Sequence, residues 1–136
     1  MRVAFGTDEE TELTDAIVAA LRDRGHDVVG VGDKLDWPDA GRLVGEAVSG
    51  GAADVGVVCC WTGTGVSMAA NKVRGVRAAL CTDAETARGA RRWSDANVLA
   101  IGLRLTSPAV AAEMLDAFFD TPVGEGEQPF IDRLEH

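Results

Sequence analysis

The amino-acid sequence predicts an α/β fold in which helices cover both sides of an open, five-stranded parallel sheet. Short apolar segments alternate along the chain with segments whose apolar residues recur at helical spacing. The run Asp54–Cys60 is almost continuously apolar, which is typical of a strand buried on both faces of a parallel sheet. With 136 residues the chain has the length of one domain.

The first half of the chain contains two predicted strand–helix units. Arg2–Phe5 is predicted as the first strand, and Thr7 with Glu10 has the pattern of a capping box that opens the first helix. Gly25 stands where a glycine would follow the end of this helix. The unit that follows comprises a strand over Val28–Val31 and a helix that begins near Pro38 and ends at Gly50-Gly51.

The second half contains three further strands. The strand Asp54–Cys60 leads into the glycine-containing loop 61–65, and a short helix is predicted over Val66–Val73. Thr82 with Glu85 is a second capping-box pattern that opens another helix. The remaining predicted elements are the strands Val76–Cys81 and Asn97–Ile101 and a long helix that starts at Ser107-Pro108.

The domain organisation predicted from this pattern is one α/β domain over residues 1–120 and a C-terminal arm over residues 121–136. The arm is polar and contains two prolines and two glycines, so it is expected to be extended, with a short final helix. We expect an arm of this kind to pack on a partner subunit.

Charge and cysteine content exclude several classes of function. The net charge of −9 and the pI of about 4.6 argue against binding to nucleic acid or to an anionic membrane surface. The three cysteines Cys59, Cys60 and Cys81 have neither a disulfide nor a zinc-site spacing. Without a signal peptide or a membrane span, we expect a cytoplasmic protein.

The strongest local candidate for chemistry is Cys60 with the loop that follows it. In open parallel sheets, ligands bind beyond the carboxyl ends of the strands. A helix that starts in this loop would offer backbone N–H groups that favour a thiolate and a developing oxyanion. Proton abstraction next to a carbonyl needs both. The alternative is that Cys60 is a small core residue, as Cys59 and Cys81 are expected to be.

Few other residues qualify as catalytic candidates. Asp8 follows the first strand and could orient a sugar hydroxyl, although a carboxylate stabilised by a helix N-terminus is the more common role for such a residue. His26 follows a helix-ending glycine and reads as a surface residue, and His136 is terminal. Acid–base chemistry is therefore expected from Cys, Asp, Glu or Thr. No phosphate-binding or dinucleotide fingerprint is present.

Four motifs in order resemble one known family. Residues 60–72, CWTGTGVSMAANK, resemble the C-G-T-G-x-G-x-S-x-A-A-N-K segment of type B ribose-5-phosphate isomerases. Residues 5–8 resemble the F-G-x-D opening of these enzymes, residues 36–39 their D-Y-P-D segment, and residues 95–104 their D-x-N-V-L-x-x-G-x-R segment. On these motifs the sequence is identified as a member of the RpiB/LacA/LacB family, which includes the galactose-6-phosphate isomerase subunits.

The resemblance implies a Rossmann-like three-layer α/β/α sandwich that forms a homodimer or tetramer with active sites at the subunit interface. It implies isomerisation of an aldose and a ketose through a cis-enediolate without metal or cofactor. Cys60 would be the base and Thr62 would assist at the sugar oxygens. The substrate-binding residues that it implies, together with their neighbours in the motifs, are Asp8, Glu9, Trp61, Gly63, Thr64, Gly65, Trp93, Ser94 and Arg104.

The sequence also departs from the family at positions that handle phosphate and ring opening. Glu9 replaces a histidine, Trp93 and Ser94 replace a histidine and an asparagine, and Glu127 stands near an arginine position. Arg133 could replace a second arginine only with a small shift in alignment. Further changes place Trp37 where the family has tyrosine and Trp61 where it has glycine. Carboxylates in place of cations would repel a phosphate dianion.

Two principal hypotheses follow. The first is an aldose–ketose isomerase that acts on ribose 5-phosphate and ribulose 5-phosphate, or on a related shorter or unphosphorylated sugar. The second is a non-catalytic sugar-binding or regulatory relative in which Cys60 is only a core residue. A nucleotide-binding α/β domain is a third, weaker alternative.

Overall fold

The computed structural model describes residues 1–135 and contains five strands and six α-helices in that part of the chain. The strands are β1 (Arg2–Thr7), β2 (Asp27–Gly30), β3 (Val55–Cys60), β4 (Ala78–Leu80) and β5 (Val98–Gly102). The helices are α1 (Glu12–Asp23), α2 (Trp37–Ser49), α3 (Thr64–Asn71), α4 (Ala84–Ser94), α5 (Pro108–Asp120) and α6 (Gln128–Ile131), and a 3₁₀ turn follows over Asp132–Glu135. The strands form one parallel sheet in the order β2-β1-β3-β5-β4, which confirms the predicted fold.

The two faces of the sheet are covered by helices of different composition. Helices α1, α4 and α5 cover one face with larger side chains such as Ile17, Met114 and Phe118. Helices α2 and α3 cover the other face mainly with alanine and valine. An ideal Cβ at Gly41 of α2 would lie 2.6 Å from the carbonyl oxygen of Val66 in α3, so these helices pack almost backbone to backbone. This close contact fixes the position of α3.

The first predicted capping box is wrong. Strand β1 continues through Thr7, whose hydroxyl donates to the carbonyl of Glu9 at 2.8 Å instead of capping a helix. Helix α1 begins later, with Thr11 as its cap: the amide of Thr14 donates to the Thr11 hydroxyl oxygen at 3.2 Å, and the Thr11 amide donates to the Thr14 hydroxyl oxygen at 2.8 Å. Two threonines therefore make the reciprocal pair that was expected of Thr7 and Glu10.

Other predicted boundaries shift by a few residues. Asp83, and not Thr82, caps α4 and accepts from the amide of Thr86 at 2.7 Å. Helix α3 begins at Thr64, before the predicted start at Val66, because the left-handed Gly63 turns the chain directly into the helix. Strand β4 is shorter than predicted. The Ser107-Pro108 start of α5 and the glycine after α1 are confirmed.

The outer edge of the sheet is covered at β4 by a single side chain. The amide nitrogen Nδ2 of Asn71, at the end of α3, donates to the carbonyl of Ala78 at 2.9 Å. The backbone N–H of Ala78 donates back to Oδ1 of Asn71 at 2.8 Å. The Asn71 side chain thus pairs with the two backbone groups of Ala78 in the way that a neighbouring strand would.

The C-terminal arm begins against the end of α4. The guanidinium Nε of Arg91 donates to the carbonyl of Thr121 at 3.3 Å, and the amide of Gly124 donates to the carbonyl of Arg92 at 2.8 Å. Ile131 of α6 is buried. The expected short final helix is therefore present, and His136 lies outside the described residues.

No helix among residues 1–135 is both long enough and apolar enough to span a bilayer.

Candidate active site

Two of the predicted site residues lie at the topological switch point of the sheet, between β1 and β3. Strands β1 and β3 are neighbours, and the chain continues from them towards opposite edges of the sheet. Asp8 follows β1 and Cys60 ends β3, with Thr7 paired in register with Cys59. In a parallel sheet this switch point is the usual ligand crevice, so Asp8 and Cys60 lie where a ligand is expected to bind.

The adjacent cysteines have different surroundings. Cys60 is 5% exposed and belongs to the α2–α3 face, whereas Cys59 is fully buried against the other face. Burial raises the pKa of the Cys59 thiol, and the charges of Cys60 and Asp8 raise it further. Burial, with a smaller contribution from Asp83, raises the pKa of Cys81 to about 11. Cys59 and Cys81 are therefore core thiols, and Cys60 is a nearly buried thiol at the carboxyl end of β3.

The start of α3 presents free backbone N–H groups. Gly63 precedes the helix with φ of 77°, and no side chain caps it. A Cβ at Gly63 would lie 2.5 Å from Cδ1 of Leu80 and 2.8 Å from the amide nitrogen of Gly102, so only glycine fits. The first helical bond is donated by Ser67 to the carbonyl of Gly63 at 3.2 Å. The earlier amides of the helix have no helical acceptor and can bind an anion.

The loop after β5 brings Arg104 to the same edge. The amide of Leu103 donates to the carbonyl of Cys60 at 2.9 Å, and the amide of Arg104 donates to the carbonyl of Trp61 at 2.9 Å. Arg104 is exposed and forms no ion pair with the side chains that the structure describes, those of residues 1–134. Its guanidinium is therefore available to a negatively charged ligand beside the Cys60 loop.

Thr62 and Thr64 face each other across Gly63. Their hydroxyl oxygens are 2.7 Å apart, which is a short hydrogen bond in which either oxygen can be the donor. Both residues are exposed. The structure thus places two linked hydroxyls at the start of α3, next to the strand end that carries Cys60.

Trp37 contacts the first turn of α3 and was not among the predicted site residues. It is the first residue of α2, and an ideal Cβ at Gly65 would lie 2.8 Å from Cε3 of its ring. The indole therefore rests on the first turn of α3 while remaining 45% exposed. The sequence signal was the D-W-P-D segment after the second strand, which identified the position but not this contact.

The crevice is rich in carboxylates. Burial raises the pKa of Asp8, and the neighbouring charges of Glu9 and Asp36 raise it further, against the effect of a backbone hydrogen bond. Asp36 precedes α2 and its side chain makes no capping bond. Within residues 1–135 no group of three or more His, Cys, Asp or Glu side chains could hold a metal ion.

Trp93 and Ser94 are not brought together with Cys60 in one chain. They end α4, which starts after β4 at the carboxyl edge and runs back to the amino edge of the sheet. Asp95, the next residue, accepts at its carbonyl from Nε of Arg77, which precedes β4. Trp93 is 57% exposed. These two residues can join the crevice only by coming from a second copy of the chain.

Glu127 and His26 also lie away from Cys60. Glu127 precedes α6 and lies near the end of α4, where a Cβ at Gly124 would be 3.5 Å from its Cγ. His26 precedes β2 and is half-buried, with its ring 4.2 Å from that of Phe119. Burial and the charges of the N-terminus and Arg24 lower its pKa. That His26 takes no part in acid–base chemistry stays a prediction.

The sequence matches one family along most of its length. The ribose/galactose isomerase family matches residues 3–134. The chain is 40% identical over 125 residues to the galactose-6-phosphate isomerase subunit LacB of Clostridium acetobutylicum, covering 88% of this chain and 72% of that protein. It is 31% identical over 141 residues to a D-erythrulose-4-phosphate isomerase of Pectobacterium atrosepticum, covering 98% of this chain and 93% of that protein.

Solved structures of similar proteins have the same fold. The ribose-5-phosphate isomerase B of Clostridium thermocellum superimposes with a TM-score of 0.94 at 36% identity, covering 99% of this chain and 95% of that chain. The type B ribose 5-phosphate isomerase of Trypanosoma brucei superimposes with a TM-score of 0.91 at 38% identity, covering 98% of this chain and 96% of that chain.

Proposed function

The chain belongs to the ribose/galactose isomerase family of aldose–ketose isomerases, and from this premise we propose that Cys60 is the base that moves a proton between C1 and C2 of the sugar. The observation that carries the proposal is the position of Cys60 at the carboxyl end of β3, three residues before the uncapped start of α3 at Gly63. The thiolate takes the proton from C2 of the aldose, and negative charge develops on the carbonyl oxygen O1. The free amides of α3 then stabilise the cis-enediolate.

Polar groups around Cys60 can bind the rest of the sugar. Asp8 lies at the end of the neighbouring strand and can accept hydrogen bonds from sugar hydroxyls. Thr62 and the N–H groups of Gly63, Thr64 and Gly65 at the start of α3 would hold the reacting oxygens. Arg104, whose backbone is bonded to that of Trp61, can bind an anionic end of the substrate.

The substrate that we propose is ribose 5-phosphate with ribulose 5-phosphate, or a related shorter or unphosphorylated sugar. The named relatives act on sugar phosphates of six, five and four carbons, so membership of the family does not fix the chain length. Glu9 and Asp36 oppose a phosphate dianion, while Arg104 favours one. Trp37 and Trp61 offer faces on which a sugar ring or carbon chain can stack.

A homodimer or tetramer with the crevice at the interface accounts for the position of Trp93 and Ser94. These residues and the exposed Phe130 and Leu134 of the arm lie away from Cys60 in one chain, and a second copy can carry them to it. Because all three cysteines are free thiols, we also propose that the protein works in the reducing cytoplasm.

The test is deuterium exchange at the sugar carbons in D2O. Tetrose and pentose substrates, each with and without phosphate, are incubated with the wild-type protein, Cys60→Ala and the matched control Cys59→Ala. We expect wild type and Cys59→Ala to exchange the C2 proton and to form the isomer, and Cys60→Ala to do neither. Exchange by Cys60→Ala at the wild-type rate would overturn the role of Cys60. No exchange with any substrate would favour a non-catalytic sugar-binding protein.

A further inference from the structure

The pair of hydroxyls on Thr62 and Thr64 has no structural role within the described chain. The two oxygens are 2.7 Å apart, and neither makes another hydrogen bond among residues 1–135. Neither hydroxyl caps α3, since the residue that precedes the helix, Gly63, receives no side-chain bond. A linked pair of exposed hydroxyls beside a catalytic cysteine is therefore available for chemistry.

The backbone forces these hydroxyls to the same side. Gly63 has φ of 77° and lies against Leu80 and Gly102, so the chain reverses at a buried glycine. The residues before and after it are both exposed. A Cβ at Gly102 would lie 2.7 Å from the carbonyl oxygen of Thr62, which shows how tightly this loop is held against β5. The hydroxyl pair is thus presented by a rigid support and not by a mobile loop.

The isomerisation itself requires two proton movements. One proton leaves C2 and is returned to C1, and Cys60 can carry it. A second proton must leave the hydroxyl O2 and arrive at O1, because O2 becomes the new carbonyl oxygen and O1 becomes a hydroxyl. A single thiol cannot serve both carbons and both oxygens at once, so the oxygen proton needs its own carrier.

We propose that Thr62 and Thr64 form a two-hydroxyl relay that carries the proton between O2 and O1, which makes Thr64 a further catalytic residue. One threonine oxygen accepts the proton from O2, its own proton passes to the other threonine across the 2.7 Å bond, and that threonine donates its proton to O1. The O2–H bond breaks, the O1–H bond forms, and both threonines end as neutral hydroxyls. The double bond moves from C1=O1 to C2=O2 through the enediolate, with no external oxidant or reductant.

The relay rests on the proposed function of Cys60, and the test separates the two. Thr64→Val removes the hydroxyl at nearly constant shape, and Thr64→Ser retains it. For each variant, deuterium incorporated at C2 of the recovered substrate in D2O and the amount of isomer formed are measured with the substrate that the wild type turns over best. The melting temperature of each variant is recorded alongside.

We expect Thr64→Val to slow the formation of isomer more than it slows deuterium exchange at C2. In Thr64→Val we expect kcat for isomerisation to fall about 100-fold, while deuterium incorporation per molecule of product rises, since the enediolate returns to substrate. Thr64→Ser should remain within a few-fold of wild type. Equal loss of exchange and product in Thr64→Val, no loss of either, or a Thr64→Ser variant as slow as Thr64→Val would overturn the relay. Failure of Cys60 as the base has a different signature: a Cys60→Ala protein that still exchanges.

Discussion

Two groups of polar residues at opposite edges of the sheet differ in whether they have partners within the chain. At the amino edge, Asp95 adopts a left-handed conformation with φ of 49° and is bonded on both carboxylate oxygens, to Arg77 at 3.2 Å and to Arg91 at 2.8 Å. Oδ1 of Asn97 accepts from the amide of Arg77 at 2.7 Å. At the carboxyl edge, the start of α3 is uncapped and Arg104 has no ion pair among the described residues.

This difference separates groups that hold the fold from groups that are available to a ligand. Partly buried polar groups that bond to one another contribute to the free energy of unfolding, and a group left without its partner destabilises the fold. Polar groups without partners add little to the stability of the fold, but they can bind a substrate or a transition state. Substitutions in the group around Asp95 should therefore lower stability, and substitutions at Cys60 and the start of α3 should mainly lower turnover.

The largest expected effect is at Cys60. Cys60→Ala should reduce kcat by at least about 1000-fold, which corresponds to about 4 kcal/mol of lost transition-state stabilisation. The free energy of unfolding should change by no more than about 1 kcal/mol, since only one sulfur atom is removed. Steady-state kinetics and urea unfolding measure the two quantities. A Cys60→Ala protein that unfolds at a much lower urea concentration than wild type would contradict the view that Cys60 serves turnover and not stability.

The next largest effect is at Asp95. Asp95→Ala leaves Arg77 and Arg91, whose side chains are each 19% exposed, without this carboxylate and should lower the free energy of unfolding by about 2 kcal/mol. Asp95→Asn is the matched control, because asparagine tolerates the left-handed backbone and keeps part of the hydrogen bonding. We expect it to lose less. If both variants unfold at the same urea concentration as wild type, the bonds of Asp95 to Arg77 and Arg91 do not contribute to the free energy of unfolding.

A smaller effect is expected where the crevice wall meets α3. Gly65→Ala would place a Cβ 2.8 Å from the ring of Trp37 and push the ring outwards, raising KM with a cost of about 1 kcal/mol in stability. Combining it with Trp37→Ala removes the clash, so the two changes should not be additive. A double-mutant cycle in KM and in the melting temperature measures the coupling. Strict additivity would show that Trp37 does not control the first turn of α3.

The smallest effect concerns pH and Asp8. Burial, with Glu9 and Asp36, raises the folded-state pKa of Asp8 above its ordinary value of 3.8. Protonated Asp8 therefore favours the fold: this contribution is complete below pH 3.8 and is lost as the pH rises through the folded-state pKa. Asp8→Asn should be slightly more stable than wild type at neutral pH and equal to it at low pH, with a raised KM. Melting temperatures across pH provide the measurement, and a less stable Asp8→Asn at neutral pH would contradict it.

The sequence predicted the sheet and the Cys60 loop because their signals are local. The apolar run that ends at Cys60 and the glycines after it specify a buried strand and a tight turn without reference to distant residues. The helix caps were harder to predict from the sequence. Thr82 and Asp83 are both good caps, and only the local backbone geometry determines which of them caps α4. The contact of Trp37 with Gly65 joins two segments far apart in the chain, and no periodicity reports such a contact.

The position of Trp93 and Ser94 shows a different limit. Their place in a family motif predicted a role beside Cys60, but a motif does not say where its residues lie in the fold. The direction of α4 carries both residues to the far edge of the sheet. Within one chain, the length of α4 separates Trp93 and Ser94 from Cys60, and only the three-dimensional structure shows this.

The bond between Asn71 and Ala78 has a consequence for the behaviour of the protein at high concentration. An open strand at the end of a sheet is a template on which other chains can add in cross-β fashion. Here a carboxamide already occupies both backbone groups of Ala78, and only three residues form the strand. One of the three residues of this edge strand is thereby closed to pairing with another chain. Amyloid growth from this side would first require the loss of two hydrogen bonds and the displacement of a helix end.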